Sequence, residues 1–259
     1  GFRCDVAGGL GLKPFCTNES INADFWGQAR KICDSYGDRV LIGEEYKRTR
    51  EALNAWHFDL AFTKGYFKLA ADTGLNSNPF FVETKQWIKP DYSGDPVEFD
   101  SFLAKETSGI TNARGAVALP TGNHDFPRPS SGTRGNDGLA VICMAATLTQ
   151  NCVPFIYYGD EIGLQDDHDA PSVEGSGARA SARTPMQWDD SRNAGFSAAP
   201  KNKLYLPVNR DFKERNVKMQ TCKPGSVLDE TRKLIALRRE HPALRAKAGK
   251  TTLYAKKRD

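Results

Sequence analysis

Val40-Leu41-Ile42-Gly43-Glu44 is an aliphatic run that ends on an acid, short enough to be one buried strand of a parallel sheet. Similar runs recur at Phe58 to Phe62, Ala116 to Leu119 and Val153 to Tyr158. Between and around them lie helix-like stretches, at Asn22 to Tyr36, Arg50 to Trp56, Pro96 to Lys105, Gly138 to Gln150 and Ser226 to Glu240. Strand and helix in alternation predict an α/β fold built on a parallel sheet. On the last helix, Val227, Leu228, Leu234, Ile235 and Leu237 form an apolar stripe opposite a charged face, as a helix packed outside a sheet requires. Ser226 is a suitable N-cap and Pro242 a stop. The Gly138 to Gln150 helix is apolar almost all round and is expected to be heavily buried. Residues 85–96 and the Gly-, Ser-, Pro- and Asp-rich stretch 160–224 resist regular structure, and loops that long inside a compact domain are usually functional.

Glu44 has two counterparts. Gly1-Phe2-Arg3-Cys4-Asp5 opens the chain, and Gly122-Asn123-His124-Asp125 follows the run at 116–119. Acids at the carboxyl ends of parallel strands line the catalytic face of a (β/α) barrel. Glycosyl transfer through an oxocarbenium-like transition state needs one carboxylate as nucleophile and one carboxylic acid to protonate the leaving oxygen. Arg3 lies two residues before Asp5, so on a strand the two share a face and the guanidinium can keep the carboxylate ionised. Strand alternation allows only one of Glu44 and Glu45 to face the barrel mouth.

In this order, the three segments resemble the second, third and fourth sequence regions of glycoside hydrolase family 13, the α-amylase family. Val153-Pro-Phe-Ile-Tyr-Tyr-Gly-Asp-Glu-Ile-Gly163 is similar to that family's eighth barrel strand and the loop after it. Arg183-Thr-Pro-Met-Gln-Trp188, with Asn193-Ala-Gly-Phe-Ser197 behind it, resembles the α-glucosidase, oligo-1,6-glucosidase and trehalose synthase branch. The resemblance implies a (β/α)8 TIM barrel represented from the end of strand 4 to helix 8, with residues 1–245 its C-terminal portion and 246–259 the start of a β-domain whose first strand is Thr251 to Tyr254. It implies Asp5 as nucleophile, Glu44 rather than Glu45 as acid/base, and Asp125 as the third carboxylate. Arg3, His124 and Arg128 are then expected to line the substrate site. Val6 resembles the residue found in enzymes that prefer α-1,6 bonds.

The expected activity is retaining hydrolysis of α-1,4 or α-1,6 bonds in short oligosaccharides. A trehalose synthase-type glucosyl isomerase uses the same acids and is the first alternative. A non-catalytic transporter heavy chain on the same fold is the second, disfavoured by survival of all three acids. A nucleophile at position 5 leaves strands one to three, most of strand four and the family's first conserved region upstream of Gly1. The chain is therefore expected to need the N-terminal half of the barrel as its partner, and to be inactive and poorly stable alone. Edge strands four and eight would be unpaired.

Composition excludes other classes. Lys and Arg number 36 against 32 Asp and Glu, a net +4 too small and dispersed for a nucleic-acid or membrane partner. No run approaches the roughly 20 apolar residues of a membrane helix. Cys4, Cys16, Cys33, Cys143, Cys152 and Cys222 show no metal-ligand spacing, so neither metal nor organic cofactor is expected, and a reducing cytoplasm is the favoured compartment. Cys4 reads as a buried inert thiol. Trp188 reads as a loop anchor more than a sugar platform, Tyr157 and Tyr158 as packing more than platform, and Asp160 and Glu161 as loop structure.

Overall fold

A computed structural model describes residues 1–10, 18–63 and 87–256. Within them five strands form one parallel sheet in chain order: β1 (Phe2–Cys4), β2 (Leu41–Gly43), β3 (Leu60–Phe62), β4 (Ala116–Pro120) and β5 (Val153–Phe155). The registers Cys4 with Gly43, Gly43 with Ala61, Phe62 with Ala118 and Pro120 with Phe155 bring the strands' carboxyl ends to one edge. The helices are α1 (Glu19–Ser35), α2 (Thr49–Asn54), α3 (Pro96–Thr107), α4 (Pro129–Gly132), α5 (Asp137–Leu148), α6 (Val217–Gln220) and α7 (Val227–Glu240). Among the described residues β1 pairs only with β2 and β5 only with β4.

Side-chain caps set where several helices begin, since the first turn of a helix has N–H groups with no intrahelical acceptor. Asn18 accepts from Ile21 N at 3.1 Å, Asp95 from Glu98 N at 2.9 Å with Pro96 following, and Asn136 from Leu139 N at 3.1 Å. Ser226 accepts from Asp229 N at 3.2 Å, the cap expected from sequence, and α7 ends at Glu240, just before Pro242. The main core lies between sheet and helices, with Leu41, Leu53, Trp56, Phe58, Leu103, Val117 and Leu119 buried. Trp87, in the segment read as irregular, packs its ring on Phe99 and Phe102 of α3; positions 85 and 86 of that segment lie outside the described residues.

Three sequence expectations change. The fourth apolar run stops being strand at Phe155, because Tyr157 N turns to the Thr121 hydroxyl (3.0 Å) instead of a ladder carbonyl. Helix α5 buries Leu139, Ala140, Cys143, Met144, Thr147 and Leu148 but leaves Ile142 half exposed, so its burial is heavy without being complete all round. Residues 251–254 form no strand: among the described residues no strand lies alongside to pair with them, and Leu253 and Tyr254 are exposed. That segment is tied down by side chains, with Lys250 Nζ 2.6 Å and Thr252 Oγ1 2.7 Å from the Asp100 carboxylate. Residues 160–224 contain no strand and only short helical turns, as expected.

Candidate active site

Strand β1 delivers Arg3 and Asp5 to the carboxyl edge of the sheet, and the adjacent β2 delivers Glu44. Arg3 bridges them, with Nη1 on Asp5 Oδ1 and Nη2 2.8 Å from Glu44 Oε1. Gly43 lets Glu44 take this position because the Phe58 ring lies where a side chain would point; a Cβ there would meet it at 3.2 Å. Glu44 is buried and held on both oxygens, Oε1 also by the Tyr46 hydroxyl (2.9 Å) and Oε2 by Val6 N (2.9 Å). Val6 adopts φ 43°, a left-handed conformation rare for a β-branched residue, and this bend turns its N–H toward Glu44. Glu45 points elsewhere: its Oε1 accepts from Lys47 N (2.8 Å) and Arg48 N (3.1 Å), closing the turn before α2.

Asp5 keeps a 71 % exposed side chain. The Arg3 hydrogen bond holds its carboxyl below the usual carboxylate range against the opposing effect of partial burial, helped by a hydrogen bond with Glu44 and by nearby His124. The third acid reaches the site by a different route. Beyond β4, Asn123 accepts from Asp125 N (2.8 Å) through its side-chain oxygen and donates to the Tyr46 hydroxyl (3.1 Å), so the turn carrying Asp125 is tied to the ring that holds Glu44. Asp125 Oδ1 receives Arg179 Nη1 and Arg183 Nη2, each at 3.0 Å, and His124 Nε2 lies 3.4 Å from Oδ2.

Arg128 requires a correction. Expected to line the substrate site, it is fully buried, donating to Asp160 Oδ1 (2.9 Å), Tyr158 O (2.6 Å) and Ala182 O (2.9 Å), with the Tyr157 and Tyr158 rings 4.7 and 4.9 Å from its guanidinium carbon. A side chain with no exposed surface cannot touch substrate from the open face. It locks the 160–183 loop to β4 instead. Burial pushes the Asp160 carboxyl up to about 6, opposed by Arg128 and by the Thr121 hydroxyl at 2.6 Å.

Sequence reading missed the arginines that do reach the open site. Arg183 was present in the Arg-Thr-Pro-Met-Gln-Trp segment as a family marker, but its contact with Asp125 spans 58 positions and nothing local announces it. Arg179 and Tyr46 carried no signal at all. Three thiols stand apart from this chemistry: burial pushes Cys143 upward, Cys152 to about 12, and Cys4 above its ordinary value, so none of these three is a ready nucleophile. Cys16 lies outside the described residues. Among those residues no three His, Cys, Asp or Glu side chains are grouped to hold a metal ion, and no helix is long and apolar enough to cross a membrane.

Comparison with known proteins agrees with this geometry. Residues 1–247 match the family model described as alpha amylase, catalytic domain. The chain is 45% identical over 94 residues to a trehalose synthase/amylase of Mycolicibacterium smegmatis, covering 35% of this chain and 15% of that protein. It is 36% identical over 161 residues to an oligo-1,6-glucosidase of Parageobacillus thermoglucosidasius, covering 49% and 28% respectively. With the trehalose-6-phosphate hydrolase of Bacillus licheniformis it shares the fold at a TM-score of 0.70 and 21% identity, over 94% of this chain and 50% of that one. The chain thus spans about half the length of that solved structure, and its five parallel strands correspond to part of a barrel.

Proposed function

Because the chain belongs to the α-amylase catalytic-domain family, we propose that Asp5, Glu44 and Asp125 are the catalytic carboxylates of a retaining α-glucosidase acting on short oligosaccharides. One observation carries this reading: a single guanidinium, that of Arg3, binds Asp5 and Glu44 at the carboxyl ends of adjacent parallel strands. That bridge keeps the two carboxyls close, as the roughly 5 to 5.5 Å separation of a retaining pair demands. Asp5, ionised and exposed, attacks the anomeric carbon. Glu44 gives its proton to the departing glycosidic oxygen. A covalent glucosyl ester on Asp5 results, and Glu44 then takes a proton from water as the water displaces Asp5, so the anomeric configuration is retained. Asp125, oriented by Arg179 and Arg183, binds the hydroxyls of the same sugar beside His124.

A glucosyl-transferring isomerase is the second reading, and the identity to trehalose synthases over 94 residues favours it specifically. It uses the same two half-reactions, with a sugar hydroxyl in place of water. The test is product analysis on maltose, isomaltose and trehalose, using a protein that carries both halves of the barrel. Glucose released first as the α-anomer supports the hydrolase; trehalose formed from maltose with little free glucose supports the isomerase. Release of β-glucose would overturn the retaining assignment shared by both.

A further inference from the structure

Tyr46 stands between Glu44 and the turn that carries Asp125, and the direction of its hydrogen bonds can be read from Asn123. The Asn123 side-chain oxygen accepts from Asp125 N at 2.8 Å, and a backbone N–H can only donate, so the amide is fixed with its nitrogen toward Tyr46. Asn123 Nδ2 therefore donates to the Tyr46 hydroxyl at 3.1 Å, and the hydroxyl directs its own proton to Glu44 Oε1 at 2.9 Å. The ring has little freedom to leave this place. It packs on the main core, stacked against Phe62 of β3 with centroids 6.3 Å apart and edge-on to Phe126 at 6.4 Å.

A carboxyl oxygen offers two lone-pair positions. On Glu44 Oε1 both are taken by donors, Arg3 Nη2 at 2.8 Å and the Tyr46 hydroxyl at 2.9 Å. Oε2 accepts from Val6 N at 2.9 Å and keeps a position for a proton. The two oxygens are thus unequal: a proton on Oε1 would be set against two donors, whereas Oε2 has room for it.

On the reading of Glu44 as acid/base, which this extends, we propose that Tyr46 is a positioning residue for proton transfer. Together with Arg3 it fills Oε1 and so leaves the transferable proton on Oε2, and Asn123 sets the direction of the hydrogen-bond chain. In the first half-reaction the glycosidic bond breaks with its electron pair on the leaving oxygen, which takes the Oε2 proton and leaves Glu44 a carboxylate. In the second, a proton from the attacking water restores it. Without the Tyr46 hydroxyl, Oε1 regains a free lone pair, and a share of the protonated enzyme carries its proton on the wrong oxygen.

A leaving group that needs no proton isolates this role. Fluoride departs from α-glucosyl fluoride as the anion, whereas glucose departs from maltose or isomaltose with a proton, so a misplaced acid penalises the disaccharide alone. The value of kcat/KM reports formation of the glucosyl ester, the half-reaction in which the leaving group departs. In the protein with both barrel halves, Tyr46→Phe, which keeps the ring, should lower kcat/KM for the disaccharide about tenfold or more and leave that for α-glucosyl fluoride within about twofold. Asn123→Asp keeps an oxygen for Asp125 N but turns an acceptor toward the Tyr46 hydroxyl, drawing its proton from Glu44, and should show the same selective loss. Tyr46→Phe added to Glu44→Gln should lower disaccharide turnover no further, because Tyr46 acts through Glu44. Equal losses on the two substrates, an unchanged disaccharide rate, or a further loss in the double variant overturns the role of Tyr46 alone. If Glu44→Gln itself slows both substrates alike, the acid assignment fails and the positioning role falls with it.

Discussion

Asp59, just before β3, and Asp5, just after β1, sit at opposite ends of two strands that flank β2 in the same sheet, and their surroundings differ in kind. At the amino end, Asp59 is buried and receives Arg30 Nη1, Arg114 Nε and Leu41 N, each at 2.7 Å. Those donors come from α1, the segment before β4 and the start of β2, so one carboxylate fastens three parts of the fold. At the carboxyl end, Asp5 shares Arg3 with Glu44 and keeps most of its side chain in the open. Asp59, closed from solvent with both oxygens claimed by donors from three parts of the fold, holds structure. Asp5, left partly free, can meet a substrate. Barrel folds divide their two faces in this way, chemistry at the carboxyl ends and stability at the amino ends.

If that division is right, the largest effect belongs to the carboxyl end and appears in turnover. Asp5→Asn and Glu44→Gln, placed in a protein with both barrel halves, should each lower kcat/KM by about a thousandfold or more, about 4 kcal/mol of transition-state stabilisation. Their unfolding midpoints should stay near that of the parent. Glu45→Gln, whose carboxylate closes a turn, should keep most of the activity; an equal loss there would move the acid from Glu44 to its neighbour.

Arg128 tests the same division from within the carboxyl end. Arg128→Ala leaves Asp160 buried without its cation, a change that costs about 3 to 5 kcal/mol in stability. Urea unfolding of the two-half protein measures it. A raised KM with an unchanged midpoint would return Arg128 to the substrate surface. Asp59→Ala should cost about 3 kcal/mol, at the lower end of the same range, because Arg30 keeps Asp34 (2.9 Å) and Arg39 O (2.9 Å) as partners. Kinetics in the two-half protein should be little changed by it below the unfolding transition.

The contrast also explains what the sequence could disclose. Asp5 and Glu44 were legible because each terminates an apolar strand, and strand ends in a parallel sheet share one edge whatever the loops do. The Ser226 cap and the Pro242 stop were legible for the same local reason. Asp59 was passed over although it directly precedes β3, since its three donors lie 18, 29 and 55 positions away. Arg128 was misplaced because an arginine three residues after Asp125 says nothing about which way the chain turns between them. That turn is fixed by Asp160 and the Ala182 carbonyl, which approach only after the 160–183 loop has folded back. Tyr46, Arg179 and Arg183 show the same limit: what they do depends on contacts across the sheet edge.

The smallest expected effect is a shift in pH dependence, and it belongs to Asp5. Asp5 is depressed chiefly by Arg3, so its charge survives to a lower pH in the folded protein than in the unfolded chain. Its stabilising contribution is present above the unfolded value of about 3.9 and is lost as pH falls through the lower folded value. Because Asp5 is largely exposed, solvent screening keeps that contribution small. The clearer readout is the acid limb of kcat/KM, where Asp5 must be ionised to attack. Arg3→Met removes the first cause of the depression, and the acid limb should move to higher pH. Arg114→Met, which removes one donor of Asp59, should leave that limb in place. A limb indifferent to Arg3 would mean that some group other than Asp5 carries the attacking charge, and the distinction between the two ends of the sheet would lose its chemical half.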